Sequence, residues 1–239
     1  MPFVTKKTGC RVALLLAIVA TTTTANAAAG DKRETATFAA GCYWSIELVF
    51  QRTPGVLSTR VGFAGGKGKR AENPVYPASG TGHAEAVDLV FDPETVSYSD
   101  LLDVFFSIHD PFDAHCQGPD CGPSYRSAVW WHSKEQLSAI KAAAATLEAD
   151  KGGTVATEIA AAADFQFWPA HEGHQQYLEK MGLPATKGSL EPIQCYGDRG
   201  PFKKLRAKPA VVRVLAGAAT KDDLRRRQLD SQRTHGPSP

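Results

Sequence analysis

The chain has 239 residues, 43% hydrophobic and 22% charged, which suits one good-sized globular domain or two small ones. Its net charge of +2 is unevenly spread: residues 1–27 hold three basic residues and no acids, residues 203–239 hold ten basic and three acidic residues, and residues 28–202 are left at −8. An acidic body argues against a nucleic-acid enzyme, and no stretch beyond the N-terminus is apolar enough to cross a bilayer.

Lys6, Lys7 and Arg11 precede a short apolar run, Val12 to Ala20, and then a Thr-rich stretch ending in Ala25-Asn26-Ala27. A basic region, an apolar core and an A-x-A site read as an export signal cleaved after Ala27, with an uncleaved anchor as the alternative. The expected location is therefore exported, periplasmic or secreted. Cleavage removes Cys10 and leaves Cys42, Cys116, Cys121 and Cys195, four thiols that permit three full pairings. The expected organisation is an export signal over 1–27, a catalytic domain over 28–202 and a basic, mobile tail over 203–239.

Thr35 to Ala39 reads as a strand, and Ile46, Val49 and Phe50 recur at helical spacing beyond it. Cys42 then falls where a strand turns into a helix. Unpaired N–H groups and the positive end of the macrodipole favour a thiolate there. Thr53-Pro54-Gly55 is a turn, Val56 to Phe63 a strand, and Ala64 to Lys69 a glycine-lysine loop whose spacing fails the Walker pattern. Tyr76 sits between Pro74 and Pro77, which stiffen the backbone around it.

His83 to Phe91 predicts a strand in which period two sets Glu85 on the same side as Val87, Leu89 and Phe91. A carboxylate on an apolar face is costly when ionised and needs a reason. Ser97 or Ser99 caps a helix over Asp100–His109, and a loop rich in Gly, Pro, Cys and Asp follows from Phe112 to Ser124. Tyr125 to His132 predicts a strand, Lys134 to Asp150 an Ala-rich helix closed by Gly152-Gly153, Val155 to Ile159 a strand and Glu172 to Lys180 a helix. The order β-α-β-β-α-β-α-β-α predicts an α+β fold, a ferredoxin-like plait with a mostly antiparallel sheet, helices packed on it, and additions.

Cys42, Tyr76, Glu85, Asp120 and Tyr125 all fall at strand ends or in the adjoining loops, where short connections bring side chains to one sheet edge. A nucleophilic thiol, a carboxyl and two phenols suit an acceptor oxygen that must be protonated. The wording of the segments adds to this. Gly41-Cys42-Tyr43-Trp44, Asn73-Pro74-Val75-Tyr76, Gly82-His83-Ala84-Glu85-Ala86-Val87, Gln117-Gly118-Pro119-Asp120, Tyr125-Arg126-Ser127-Ala128 and His174-Gln175-Gln176-Tyr177-Leu178 occur in order. Over roughly residues 34–198 the chain resembles the A-type peptide methionine sulfoxide reductases.

The resemblance implies reduction of the S epimer of methionine sulfoxide, free or in proteins, without a bound cofactor or metal. It implies Cys42 as the nucleophile and Glu85 as the proton donor to the sulfoxide oxygen. Tyr76 and Tyr125 would hydrogen-bond that oxygen, Asp120 would assist through water, and Tyr43 and Trp44 would hold the S-methyl group. Cys42 would be left as a sulfenic acid, which a second thiol converts to a disulfide. The resemblance and the position of Cys195 past the last predicted helix point to Cys195 as that resolving thiol, with Cys116 and Cys121 as alternatives. A local Cys116–Cys121 bridge is geometrically plausible. An external thioredoxin-like or dithiol reductant would restore the enzyme, and a monomer with no nucleic-acid partner is expected. Ser45 and Tyr43 depart from the family's usual Gly and Phe. Two other readings are an exported client-binding or disulfide-exchange domain, and a metal site from His109, His115, Cys116 and Cys121.

Overall fold

The structure is a computed structural model that describes residues 32–67, 81–189, 191 and 193. The expected export signal, Tyr76, Cys195 and the basic tail lie outside the described residues. Among the described residues no helix is long and apolar enough to cross a membrane.

β1 (Glu34–Ala40) leads into α1 (Tyr43–Arg52), followed by β2 (Val56–Ala64), β3 (Ala84–Phe91) and α2 (Tyr98–Ser107). A two-residue hairpin, β4 (Cys116–Gln117) and β5 (Asp120–Cys121), precedes β6 (Ser127–Trp131) and α3 (Lys134–Lys151). β7 (Glu158–Ala161), β8 (Trp168–Pro169) and α4 (Tyr177–Lys180) follow. The main sheet runs β7-β6-β1-β3-β2-β8. Its centre, β6-β1-β3-β2, is antiparallel throughout and has the strand order of the predicted plait; β7 is added parallel to β6, and β8 antiparallel to β2.

Period two divides each strand between two faces. Ala36, Phe38 and Ala40 of β1, with Val87, Leu89 and Phe91 of β3, enter the main core beneath the helices. Ala39, Ala84, Ala86, Ala128 and Trp130 form a second, smaller cluster, against which Phe165 and Phe167 pack. Phe38 is the hub of the main core: its ring stacks on Phe50 of α1 at 5.1 Å and on Phe105 of α2 at 4.9 Å. Truncating a fully buried Phe to Ala costs about 3–5 kcal/mol.

Local signals set the helix ends. Ser97 accepts from the Asp100 N–H while the Asp100 carboxylate accepts from the Ser97 N–H, closing a capping box. Ser133 caps α3, and Gly152 ends it at φ 71°. Several boundaries differ from the sequence expectation, and α2 spans Tyr98–Ser107 instead of Asp100–His109. Tyr125 closes a 3-10 turn over Pro123–Tyr125, and the strand begins only at Ser127. The seventh strand is shifted to Glu158–Ala161. The helix expected over 172–180 is confined to Tyr177–Lys180, because Gln176 takes a left-handed φ of 49° and interrupts the ladder.

Candidate active site

Gly41 brings β1 to an end at φ 92°, a left-handed conformation that glycine adopts without strain. Space demands glycine as well, since a Cβ there would lie 2.9 Å from Cβ of Gln117. The turn delivers Cys42 to the N-cap of α1, where its side chain makes no capping hydrogen bond. The thiol is buried, 8% exposed, and outside any disulfide.

Glu85 reaches the same point from β3. It lies on the core face and is 7% exposed, and its Oε2 accepts the Tyr43 N–H at 3.0 Å. One of the orphan amides of the first helical turn is thereby taken by a carboxyl from the neighbouring strand. Thiol and acid meet at the positive end of one helix.

The hairpin closes a further side. Gln117 is buried and bonds twice to the backbone of Asp110: its Nε2 donates to the carbonyl and its Oε1 accepts the N–H, both at 2.8 Å. That grip seats Gln117 against Gly41, and Asp120 is its partner in the hairpin register. Burial pushes the Asp120 carboxyl upward from its ordinary value. Cys116 and Cys121 flank this pair and are joined as a disulfide, with Cα atoms 4.1 Å apart. The metal set His109, His115, Cys116 and Cys121 does not assemble. Both cysteines are consumed by the bridge, and His109 bonds to the Phe105 carbonyl at 2.8 Å and to Ser127 Oγ at 2.7 Å.

Tyr125 follows the hairpin in its 3-10 turn, which packs against β3, the strand of Glu85. The adjacent Arg126 is an organiser that the residue-by-residue reading passed over. Its Nη1 donates to the carbonyls of Pro123 at 2.8 Å and Gly82 at 3.0 Å, and its Nη2 reaches the Gly65 carbonyl at 3.4 Å. Its Nε pairs with Glu158 at 2.9 Å. One guanidinium thus ties the turn of Tyr125 to Gly65 and Gly82, which flank the segment containing Tyr76. A basic residue beside a conformationally demanding turn, with five donors to place, was the available signal.

Tyr43 and Trp44 open α1. Tyr43 is buried beside Phe63, ring centroids 5.7 Å apart. Trp44 is half-buried and lies under Tyr177 at 4.0 Å with planes 18° apart, and beside His174 at 5.5 Å. Ser45, where the resembling family usually has Gly, is wholly buried and its hydroxyl has no hydrogen-bond partner among the described residues.

A buried thiol and a buried carboxyl converging on a helix N-terminus, at the edge of an α+β plait, define a thiol-based enzyme. Comparison with known proteins gives the family. Residues 34–194 match the family described as peptide methionine sulfoxide reductase. The chain is 45% identical over 176 residues to peptide methionine sulfoxide reductase A2-1 of Oryza sativa, covering 72% of this chain and 91% of that protein. It is 49% identical over 155 residues to the reductase MsrA of Methanothermobacter thermautotrophicus, covering 63% of this chain and 89% of that one. The structure of methionine sulfoxide reductase A of Corynebacterium diphtheriae superposes with a TM-score of 0.56 at 33% identity, covering 70% of this chain and 84% of that one. The chain belongs to the A-type peptide methionine sulfoxide reductase family.

Proposed function

We propose that the protein reduces the S epimer of methionine sulfoxide, free or in proteins, with Cys42 as nucleophile and Glu85 as general acid. The observation that carries this reading is the 3.0 Å hydrogen bond from the Tyr43 N–H to Glu85 Oε2, which brings the acid to the helix end where Cys42 is the N-cap residue. The thiolate gives its electron pair to the sulfoxide sulfur while Glu85 supplies a proton to the oxygen. Methionine leaves, and Cys42 keeps the oxygen as a sulfenic acid. Tyr125 and Tyr76 hydrogen-bond the oxygen as charge develops on it, and Asp120 assists through water. Tyr43 and Trp44 hold the S-methyl group.

The thiol of Cys195 then attacks the sulfenic sulfur, releasing water and forming a Cys42–Cys195 disulfide. The Cys116–Cys121 bridge supports this assignment, because it leaves neither of those sulfurs as a thiol. A thioredoxin-like dithiol reduces the new disulfide, and no bound cofactor takes part. The protein works as an exported monomer, delivered by the segment over 1–27, with the catalytic domain over 28–202 and the basic tail over 203–239.

The test is an epimer-resolved assay with a dithiol reductant, followed by non-reducing peptide mapping after one equivalent of substrate. Consumption of the S epimer alone and a Cys42–Cys195 peptide are expected. Turnover of the R epimer would overturn the substrate reading. A Cys42 peptide linked to Cys116 or Cys121, with Cys195 still a thiol, would overturn the recycling step.

A further inference from the structure

We infer that Glu47 is a positioning residue for the wall of the methyl pocket, fixing the turn at Gln176 and through it the ring of Trp44. The inference rests on the reading of Trp44 as a methyl contact.

Glu47 lies in the middle of α1 and is 1% exposed. Its position three residues after Trp44 sets the two side chains on one helical face. Three donors converge on the carboxyl: Thr59 Oγ1 of β2 at 3.1 Å, Gln176 Nε2 at 3.0 Å and the Gln176 backbone N–H at 2.8 Å. A buried carboxyl with this many partners is built in, since an unpaired one would carry a large desolvation penalty.

What it holds is a strained turn. Among the described residues Gln176 is the one non-glycine with positive φ, at 49°. A residue with a Cβ enters that region only when its surroundings dictate it. The bond from Glu47 to the Gln176 amide does so, and Gln175 pins the same turn to the sheet through Val61, donating to its carbonyl and accepting its N–H at 2.9 Å. The turn presents two rings to the pocket. Tyr177, the next residue, stacks on Trp44 at 4.0 Å, and His174 lies 5.5 Å from Trp44 and 5.9 Å from Tyr43. Glu47 touches no reacting atom. It sets the residues that press on the ring that does touch substrate.

The experiment compares Glu47→Ala, Glu47→Gln, Trp44→Ala and the double variant Trp44→Ala/Glu47→Ala in the full chain. Steady-state kinetics are measured with S-methionine sulfoxide and with its S-ethyl analogue. In Glu47→Ala, kcat/KM should fall about 10-fold, chiefly through KM, and discrimination between methyl and ethyl should shrink about 3-fold. Glu47→Gln, whose carbonyl can still accept the Gln176 N–H, should restore most of both. The double variant should be no worse than Trp44→Ala. A folded Glu47→Ala with parental KM and discrimination would overturn the inference, as would a double variant showing the product of the two single losses. Should Glu47→Ala fail to fold, Glu47→Asp, which withdraws the carboxyl by one methylene, reads the same outcomes. Parental behaviour of Trp44→Ala would overturn the methyl-contact reading itself. An impaired Trp44→Ala beside a parental Glu47→Ala would sink the Glu47 inference alone.

Discussion

The two ends of α1 are finished in opposite ways. At the C-terminal end, cations and hydroxyls cover the carbonyls. Thr53 Oγ1 donates to the Val49 carbonyl at 3.0 Å, and Lys187 Nζ donates to the carbonyls of Thr53 and Val56 at 3.1 and 2.6 Å. Arg52 is 1% exposed and donates to the carbonyls of Pro184 at 2.8 Å and Glu191 at 2.7 Å. At the N-terminal end Cys42 makes no side-chain cap, the Tyr43 amide goes to an acid from another strand, and the Ser45 hydroxyl has no partner among the described residues. Positive groups at the negative end of the dipole lock the helix to its neighbours, while the positive end carries the Cys42 thiol. The anchored end and the thiol stand about 15 Å apart on one helix, at 1.5 Å per residue.

Breaking the reactive end should have the largest effect. Cys42→Ser is expected to abolish sulfoxide reduction with the thermal melt unchanged, and real turnover by that variant, free of parental enzyme, would refute the mechanism. Glu85→Gln comes next. It keeps an acceptor for the Tyr43 N–H but has no acidic proton, so single-turnover formation of methionine should slow by about 10²- to 10⁴-fold. A raised KM with an unchanged turnover number would show that Glu85 binds rather than protonates.

Breaking the anchored end should change stability instead. Arg52→Ala removes two charge-assisted hydrogen bonds and should cost roughly 3–5 kcal/mol in a urea titration. Equal stability would mean that the segment around Pro184 and Glu191 contributes nothing to the fold.

The middle of the helix gives a pH signature. Burial pushes the Glu47 carboxyl from 4.5 up to about 7, against the opposing effect of the bonds from Thr59 and Gln176 and the charge of Lys180. The folded state therefore holds a proton that the unfolded chain has released. The associated stability is complete below pH 4.5 and drains away as the pH rises through about 7. The full loss amounts to roughly 3 kcal/mol. Urea midpoints should fall over that interval in the parent and stay flat in Glu47→Gln; parallel curves would contradict the assignment. The smallest expected change has the opposite sign. Ser45→Ala removes a buried hydroxyl that has no partner among the described residues and should stabilise by about 1 kcal/mol.

The plait and the strand–helix turn at Cys42 were legible because their signals are local. A strand period, a Gly-Cys step and a helical period follow one another within residues 34–52, and the serine caps stand where they are expected. Glu85 was legible for the same reason, since period two alone assigns it to the apolar face. Gln176 was not. Its strained backbone comes from Glu47, 129 positions away, and local propensity cannot register a hydrogen bond of that range. The two-residue strand β8 is too short to show any period. Glu47 itself carried a readable sign. A helix written Tyr-Trp-Ser-Ile-Glu-Leu-Val-Phe-Gln-Arg has almost no polar face, so its acid had to be buried and paired.

The amide of Gln175 has a meaning beyond the turn it pins. By donating to the Val61 carbonyl and accepting the Val61 N–H, it fills the place of a neighbouring strand where the short β8 gives out. A strand edge with exposed donors and acceptors is a template on which another chain can add. Here a single side chain occupies that template with both of its polar atoms, and the Ala170 N–H supplies the second lone pair of the same carbonyl with a donor at 3.0 Å. At Val61 the edge is closed by glutamine, and a strand added there would have to displace that side chain.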